Sequence, residues 1–253
     1  GRVSPTGRTR TAPEGALDRM ALGVCSCASL GRGFLHAYQG LADADVDLVL
    51  HLGDYMYEYG NDGGFSGSPS GGYFPEHETV TLTDYRQRYA WYRLKPQLQA
   101  VHARHPMICV WDDHESANDA WSGGAQNHEE DTEGPWAERR AAASQAWHEW
   151  LPVRPQAEAE KIWRRFQFGD LVDLLMLDTR IWGRDEKSAN PDVRLDPERQ
   201  MLGADQADWV DAALADSTAA WRLIGQQVMM APLVVNGIQL NNDQWDGYPA
   251  ARE

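Results

Sequence analysis

The sequence predicts an α/β protein in which strands and helices form a layered sandwich. In the first half, short apolar segments of strand length alternate with segments whose apolar residues recur every three or four positions. This order is typical of parallel strands joined by helices. In the second half, two strand-like segments are separated only by a Gly-Asp turn, which predicts an antiparallel hairpin. The two patterns together favour a mixed sheet arrangement covered by helices.

The first predicted elements form a βαβ unit. A strand is predicted within 20–30, a helix at 34–43 and a second strand within 46–60. The connection should be right-handed, and both strands should be parallel and buried. A long glycine-rich loop is predicted at 61–74, directly after the second strand. Loops at the carboxyl ends of parallel strands are where α/β proteins place their chemistry.

Helices and strands continue to alternate along the rest of the chain. The predicted elements are a helix from Thr83 interrupted at Pro96, a strand from Pro106, a helix at 133–152, a hairpin at 162–180, a helix near 204–215 and a final strand within 221–235. No internal repeat is present. The pattern therefore predicts one continuous α/β unit.

Composition excludes several classes of protein. The chain has 253 residues, of which 42% are apolar and 24% charged, and these values argue against a disordered or coiled-coil protein. Its formal net charge of −15 argues against binding to a nucleic-acid backbone. The longest apolar runs are interrupted by aspartate, so no transmembrane segment is predicted.

The three cysteines cannot all form disulfides. Cys25 and Cys27 are two residues apart, which places them on the same face of a strand in poor geometry for a mutual disulfide. The third is Cys109. At least one cysteine is therefore a free thiol or a metal ligand.

Side chains able to bind metals follow three of the predicted strands. Cys27 follows the first, Asp54 and Tyr57 follow the second, and Asp113 and His114 follow the third. Because the carboxyl ends of parallel strands meet at one edge of a sheet, these side chains are expected to lie close together. A thiolate, a phenolate and carboxylates suit a hard trivalent cation beside a divalent one.

Each of these residues also has a purely structural interpretation. Cys27 on an apolar strand could be a packed thiol, Asp54 a turn residue and Tyr57 a buried aromatic residue with a bonded hydroxyl. For Asp178 and Arg180 we predict a structural ion pair, with contact to the site as the alternative.

A set of segments along the chain matches the pattern of a known family. In order, the chain contains VCSCASL, ADADVDLVLHLGDYMYEYG, YRQRYAWYR, VWDDHESAND, RRAAASQAWHEWLPVR, LLMLDTR and IGQQVMMAPL. Together these resemble the alkaline phosphatase D (PhoD-like) family of metallophosphoesterases. The resemblance implies a four-layer α/β/β/α metallophosphoesterase sandwich. It also implies a hydrolase, acting as an alkaline phosphatase or phosphodiesterase, that uses ferric iron and calcium.

The resemblance also implies roles for individual residues. Cys27 and Tyr57 are expected to bind iron, and Asp54 to bridge the two metals. Asp113 is expected to bind the second metal and His114 to donate to the phosphate, which makes Asp54 and His114 the expected catalytic residues. The reaction expected of such a centre is in-line attack of a metal-bound hydroxide on phosphorus.

The expected partner is a small phosphate mono- or diester. One of Arg139 and Arg140 is expected to contact the phosphate, and the spacing does not choose between them. No nucleic-acid-specific binding is expected. By resemblance the protein is expected to be exported to the periplasm or secreted.

The predicted domain boundary lies near residue 16. Residues 1–16 resemble the last strand and linker of an N-terminal immunoglobulin-like domain, and residues 17–253 resemble a catalytic domain that is incomplete at its C-terminal end. The Gly-Asp-x-His segment of the family is not found, and 221–253 contains no histidine. A complementary C-terminal fragment could supply it. The alternatives are a non-catalytic, metal-poor remnant that binds phosphate ligands, or a hydrolase of another oxyanion ester such as a sulfate or phosphonate.

Overall fold

Two three-stranded sheets form the centre of the molecule. The computed structural model describes residue 3 and residues 6–62, 71–158 and 160–253. In chain order, the strands and helices are β1 (Leu22–Cys25), α1 (His36–Asp43), β2 (Leu48–His51), α2 (Leu82–Arg93), α3 (Pro96–Arg104), β3 (Met107–Cys109), α4 (Glu130–Glu133), α5 (Trp136–Trp150), β4 (Arg164–Phe168), β5 (Val172–Met176), α6 (Pro191–Arg194), α7 (Ala204–Asp216), β6 (Trp221–Gly225), β7 (Val234–Val235), β8 (Ile238–Gln239) and α8 (Pro249–Arg252). The predicted mixed α/β architecture is confirmed.

The first sheet is parallel and has the order β1-β2-β3. Leu22 pairs with Leu48, and Val49 pairs with Met107. All four residues of the central strand β2 are buried, as expected for a strand covered on both faces. A Cβ atom at Gly23 would lie 2.5 Å from Cδ1 of Leu41, so α1 packs closely on β1 at this glycine.

Four helices pack in pairs beside this sheet, α1 against α3 and α2 against α5. Thr81 begins α2 with a capping box in which its side chain and that of Asp84 satisfy each other's backbone amides. Pro96 occupies the first turn of α3, where its missing amide hydrogen costs no helical bond. The predicted interruption at Pro96 is therefore the boundary between two helices.

The second sheet has the order β4-β5-β6 and contains the predicted hairpin. Strands β4 and β5 are antiparallel and joined at Gly169, whose φ of 54° lies in the left-handed region. Strand β6 runs parallel to β5, and all five residues of β5 are buried. Apolar residues of β2 and β5 belong to one core, so the two sheets pack together.

The N-terminal segment differs from its prediction within the described residues. Residues 6–16 form no strand. They run beside the hairpin turn, where the amides of Gly169 and Asp170 donate to the carbonyl oxygens of Pro13 and Gly15. Residues 1, 2, 4 and 5 of the predicted strand and 63–70 of the predicted glycine-rich loop lie outside the described residues. The assignment of 1–16 to an upstream domain stays a prediction.

Within the described ranges, no helix is both long and apolar enough to cross a bilayer. Several large apolar side chains are exposed in the segment from the start of β6 to the residue after β8, among them Trp221, Ile224, Met230, Val234 and Leu240.

Candidate metal centre at the strand ends

The turns after β1 and β2 touch each other at the carboxyl edge of the first sheet. The amide of Cys27 donates to the carbonyl oxygen of Gly53 at 3.2 Å, and that of Ala28 donates to the carbonyl of Asp54 at 2.7 Å. Cys27 and Asp54 both have left-handed backbones, with φ of 59° and 55°. Such backbone conformations are costly outside glycine and are concentrated at functional sites.

Asp54 lies at the centre of this edge. Its Oδ2 accepts a hydrogen bond from the hydroxyl of Tyr57 at 2.8 Å. Its Oδ1 is buried and has no hydrogen-bond partner among the described residues. A buried carboxylate oxygen without a donor is costly unless another group, such as a cation, satisfies it.

The turn after β3 brings two further predicted residues to Asp54. One ligand atom each of Asp54, Asp113 and His114 can be chosen so that all lie within 4.8 Å of one another. The ring of Tyr57 lies 4.1 Å from that of His114, measured between centroids. The structure thus brings Asp54, Tyr57, Asp113 and His114 together, with Cys27 in the adjoining turn.

Burial, together with neighbouring negative charge, raises the pKa values of three of the donor groups. Burial raises the pKa of Asp54 well above its ordinary value, and the charges of Asp112 and Asp113 raise it further. Burial followed by the charge of Asp54 raises the pKa of Tyr57. Loss of hydration, with a contribution from Asp54, raises the pKa of the exposed Cys27 to about 11. A bound cation would lower the pKa of each of these groups and stabilise its negatively charged form. This set of donors therefore fits a metal centre.

A second group of carboxylates adjoins the first. Ligand oxygens of Asp113, Asp119 and Asp243 also lie within 4.8 Å of one another. Lys187 contacts Asp119, and Nη2 of Arg184 lies 2.6 Å from Asp243, so this group carries its own counter-charges. Asp113 was the one residue predicted from the sequence as a ligand of the second metal, and Asp119 and Asp243 were not predicted. Asp243 is far along the chain, and no local pattern marked it.

The predicted ion pair between Asp178 and Arg180 is wrong. The carboxylate of Asp178 accepts the backbone amides of residues 180, 181 and 182, as in an Asx-type turn. The guanidinium of Arg180 is buried and instead contacts Asp112, with Asp243 at 2.7 Å and Asp113 at 3.6 Å. Burial acts to raise the pKa of Asp113, but Arg180 and His114 together lower it below its ordinary value.

Glu58, which the sequence did not predict as a site residue, orients His114. Its Oε2 lies 2.7 Å from Nδ1 of His114, and its Oε1 accepts the amide of Asn118 at 2.7 Å and the side chain of Asn127 at 3.1 Å. Burial acts to lower the pKa of His114, but Asp113 and Glu58 raise it well above its ordinary value. The one sequence feature that could have indicated Glu58 is its position directly after Tyr57.

The two arginines predicted to contact phosphate both have protein partners. Arg139 is fully buried and lies 2.6 Å from Glu78 and 2.9 Å from Glu133. Arg140 keeps 26% of its side chain exposed and lies 2.8 Å from Glu160. Of the two, Arg140 has the exposed surface that contact with a substrate requires.

This arrangement agrees with comparisons to known proteins. A family model described as PhoD-like phosphatase matches residues 22–253. The chain belongs to this family. It is 36% identical to alkaline phosphatase D of Bacillus subtilis (strain 168) over 266 aligned positions, which cover 99% of this chain and 45% of that protein.

Two solved structures of phosphatases are similar to this chain. The structure of PhoD matches with a TM-score of 0.88 and 35% identity over 98% of this chain and 50% of that chain. A purple acid phosphatase from seeds of yellow lupin (Lupinus luteus) matches with a TM-score of 0.52 and 14% identity over 88% of this chain and 33% of that one, which shows a shared fold. The chain thus has the predicted metallophosphoesterase-type fold and spans about half the length of its PhoD-like relatives.

Proposed function

We propose that this chain carries the catalytic core of a phosphoric ester hydrolase, an alkaline phosphatase or phosphodiesterase that uses ferric iron and calcium. The observation that carries the proposal is the convergence of ligand atoms of Asp54, Asp113 and His114 within 4.8 Å of one another. One carboxylate oxygen of Asp54 is also buried without a donor among the described residues. Membership of the PhoD-like phosphatase family supports the reaction class.

The donor types suggest how the two cations would be shared. Cys27 and Tyr57 would supply the thiolate and phenolate that suit ferric iron, and the carboxylate of Asp54 could serve both cations. Asp113 is the proposed calcium ligand, and Asp119 and Asp243 lie beside it as further oxygen donors. When bound, the cations would supply charge for the phosphate oxygens and acidify water for attack on phosphorus.

His114 is the proposed proton donor of the site. Glu58 occupies its Nδ1, so Nε2 is the ring nitrogen that can face a substrate. Because the pKa of His114 is raised, the ring can hold protons on both nitrogens. The Nε2 proton can then be donated to a phosphate oxygen or to the leaving group.

Substrate contacts follow from the exposure of the arginines and from overall charge. We assign the phosphate contact to Arg140, with Arg139 supporting the neighbouring loop through Glu78 and Glu133. The proposed substrates are small phosphate mono- or diesters, and the net charge of −15 disfavours nucleic acid. We also propose export to the periplasm or secretion, on the family resemblance.

Metal content, colour and turnover test the proposal together. The folded protein should contain iron and calcium, show a visible charge-transfer band and hydrolyse p-nitrophenyl phosphate or its bis-ester. Tyr57→Phe should remove the band. Tyr89→Phe is the matched control, because it removes another buried hydroxyl, one with no hydrogen-bond partner among the described residues.

Different outcomes separate the competing functions. A folded protein without iron, colour or turnover that still binds inorganic phosphate would support a non-catalytic phosphate-binding role. Faster hydrolysis of p-nitrophenyl sulfate than of the phosphate ester would indicate that the protein is a hydrolase of another oxyanion ester. Full colour and activity in Tyr57→Phe would contradict the iron assignment.

A further inference from the structure

Glu115 is a buried carboxylate whose bonds go to two separate turns of the site. It follows His114 directly, and only 2% of its surface is exposed. Its Oε1 accepts the amide of Tyr55 at 2.5 Å, while its Oε2 accepts the amides of Asp54 at 2.9 Å and Asp112 at 2.7 Å. A buried carboxylate is stable only when donors of this kind surround it.

These three amides belong to the turns after β2 and β3. Glu115 is 60 and 61 residues away from Tyr55 and Asp54 in sequence, so these two bonds join distant parts of the chain. The bond to the amide of Asp112 lies within the turn of Glu115 itself. One carboxylate therefore fixes both turns at once.

The two turns are in direct contact where Glu115 joins them. A Cβ atom at Gly53 would lie 2.3 Å from the backbone nitrogen of Asp112, so no side chain fits between the turns. The next residue, Asp54, has the left-handed φ of 55°. A strained residue persists only where its surroundings hold it, and the bonds of its own amide and that of Tyr55 to Glu115 do so.

We infer that Glu115 is a positioning residue of the metal centre, which holds the Asp54 turn against the turn that carries Asp113 and His114. The inference rests on the proposed function and deepens it. Glu115 reaches the site through backbone amides and is assigned no contact with substrate. Loss of its negative charge would release the turns, and the separation between the carboxylates of Asp54 and Asp113 would no longer be fixed.

Glu115→Gln tests this inference, with Asp173→Asn as the matched control. A glutamine presents one oxygen and one NH2 group where the amides require two acceptors. Asp173 is equally buried, but its carboxylate binds Arg165 on the second sheet. We expect Glu115→Gln to lower kcat for p-nitrophenyl phosphate by about 10- to 100-fold and to weaken the iron charge-transfer band. Asp173→Asn should keep both, whatever its thermal stability.

A second measurement uses the unaltered protein, in case Glu115→Gln does not fold. Hydrogen exchange at the amides of Asp54, Tyr55 and Asp112 should be as slow as in the centre of β2. Rapid exchange at these amides, or wild-type kcat and colour in Glu115→Gln, would overturn the inference. A wild-type protein without colour or turnover would instead contradict the proposed function. Slow exchange at the three amides in that protein would still support the positioning role of Glu115.

Discussion

Nδ1 of His114 lies 2.7 Å from Oε2 of Glu58, and both side chains are buried beside the candidate metal centre. This pair joins the turn after β2 to the turn after β3. It fixes which ring nitrogen of His114 remains for a substrate, because the other is occupied. The proton donation proposed for His114 would therefore depend on a residue that has no assigned contact with the substrate.

Glu58→Gln should lower kcat for phosphate ester hydrolysis by about 10- to 100-fold, because the ring of His114 loses its charged partner. Steady-state kinetics with p-nitrophenyl phosphate would measure the loss. The control is Glu149→Gln, which removes a carboxylate that pairs with Arg86 at the surface and should leave kcat unchanged. Equal kcat in the two variants would contradict the orienting role.

Two histidines with lowered pKa values should each make the fold less stable in acid. Burial lowers the pKa of His51 and of His102 from 6.5 to about 3. Between these values the unfolded chain binds protons that the folded protein does not. The contribution of these two histidines to stability is therefore full above pH 6.5 and is lost as the pH decreases towards 3. The slope should be up to about 1.4 kcal/mol per pH unit for each histidine.

Urea titrations at several pH values between 7 and 4 would measure this dependence. His51→Gln should lower the slope by the contribution of one group, and the exposed His36→Gln should leave it unchanged. A slope in His51→Gln equal to that of the wild type would show that His51 does not remain neutral in the fold.

Gly53→Ala should destabilise the protein far more than another alanine at positive φ. Gly53 has a φ of 102°, and its added Cβ would lie 2.3 Å from the nitrogen of Asp112. Gly134 has a φ of 83° with nothing within 4 Å of the added atom. We expect a loss of about 1 kcal/mol for Gly134→Ala and about 2 to 5 kcal/mol for Gly53→Ala, measured by urea denaturation. Equal losses of stability in the two variants would show that the positive φ, and not the contact with Asp112, causes the destabilisation.

Arg180→Met should be strongly destabilising because it leaves buried carboxylates without their cation. The guanidinium contacts Asp112, Asp113 and Asp243. Removing one partner of a buried ionic group costs about 3 to 5 kcal/mol. Arg86→Met, which breaks a surface pair with Glu149, should cost less than about 1 kcal/mol in the same assay. A comparable small loss in both variants would show that Arg180 is not required to balance this charge.

The sequence predicted the elements and the meeting of the strand ends because both follow from local patterns. Apolar runs gave β1, β2 and β3, and convergence of parallel strands then placed Asp54 near Asp113 and His114. The convergence of parallel strand ends depends on the order of the strands and not on how side chains pack. It therefore identified the first residues of the centre, although their roles as ligands stay proposals.

The residues that support the centre depend on packing between distant segments and could not be predicted in this way. Glu58 and Glu115 each follow a predicted residue directly in the sequence, but each also bonds to a residue more than fifty positions away, and those contacts could not be predicted. The Asp178–Arg180 pair was predicted wrongly because the carboxylate binds the local backbone, which competes with ion pairing over such short spacing. Helical spacing likewise did not reveal that Arg139 is buried among carboxylates.

The contact between Arg180 and Asp243 has a consequence for the order of folding. It closes a loop of 63 residues, and the pair of Glu58 and His114 closes one of 56. Contacts this distant in sequence form after local helices and hairpins, because the chain must first lose the entropy of the intervening loop. During refolding, native helical signal should therefore return before the protein can retain a cation, and metal uptake would report the arrival of the last segments.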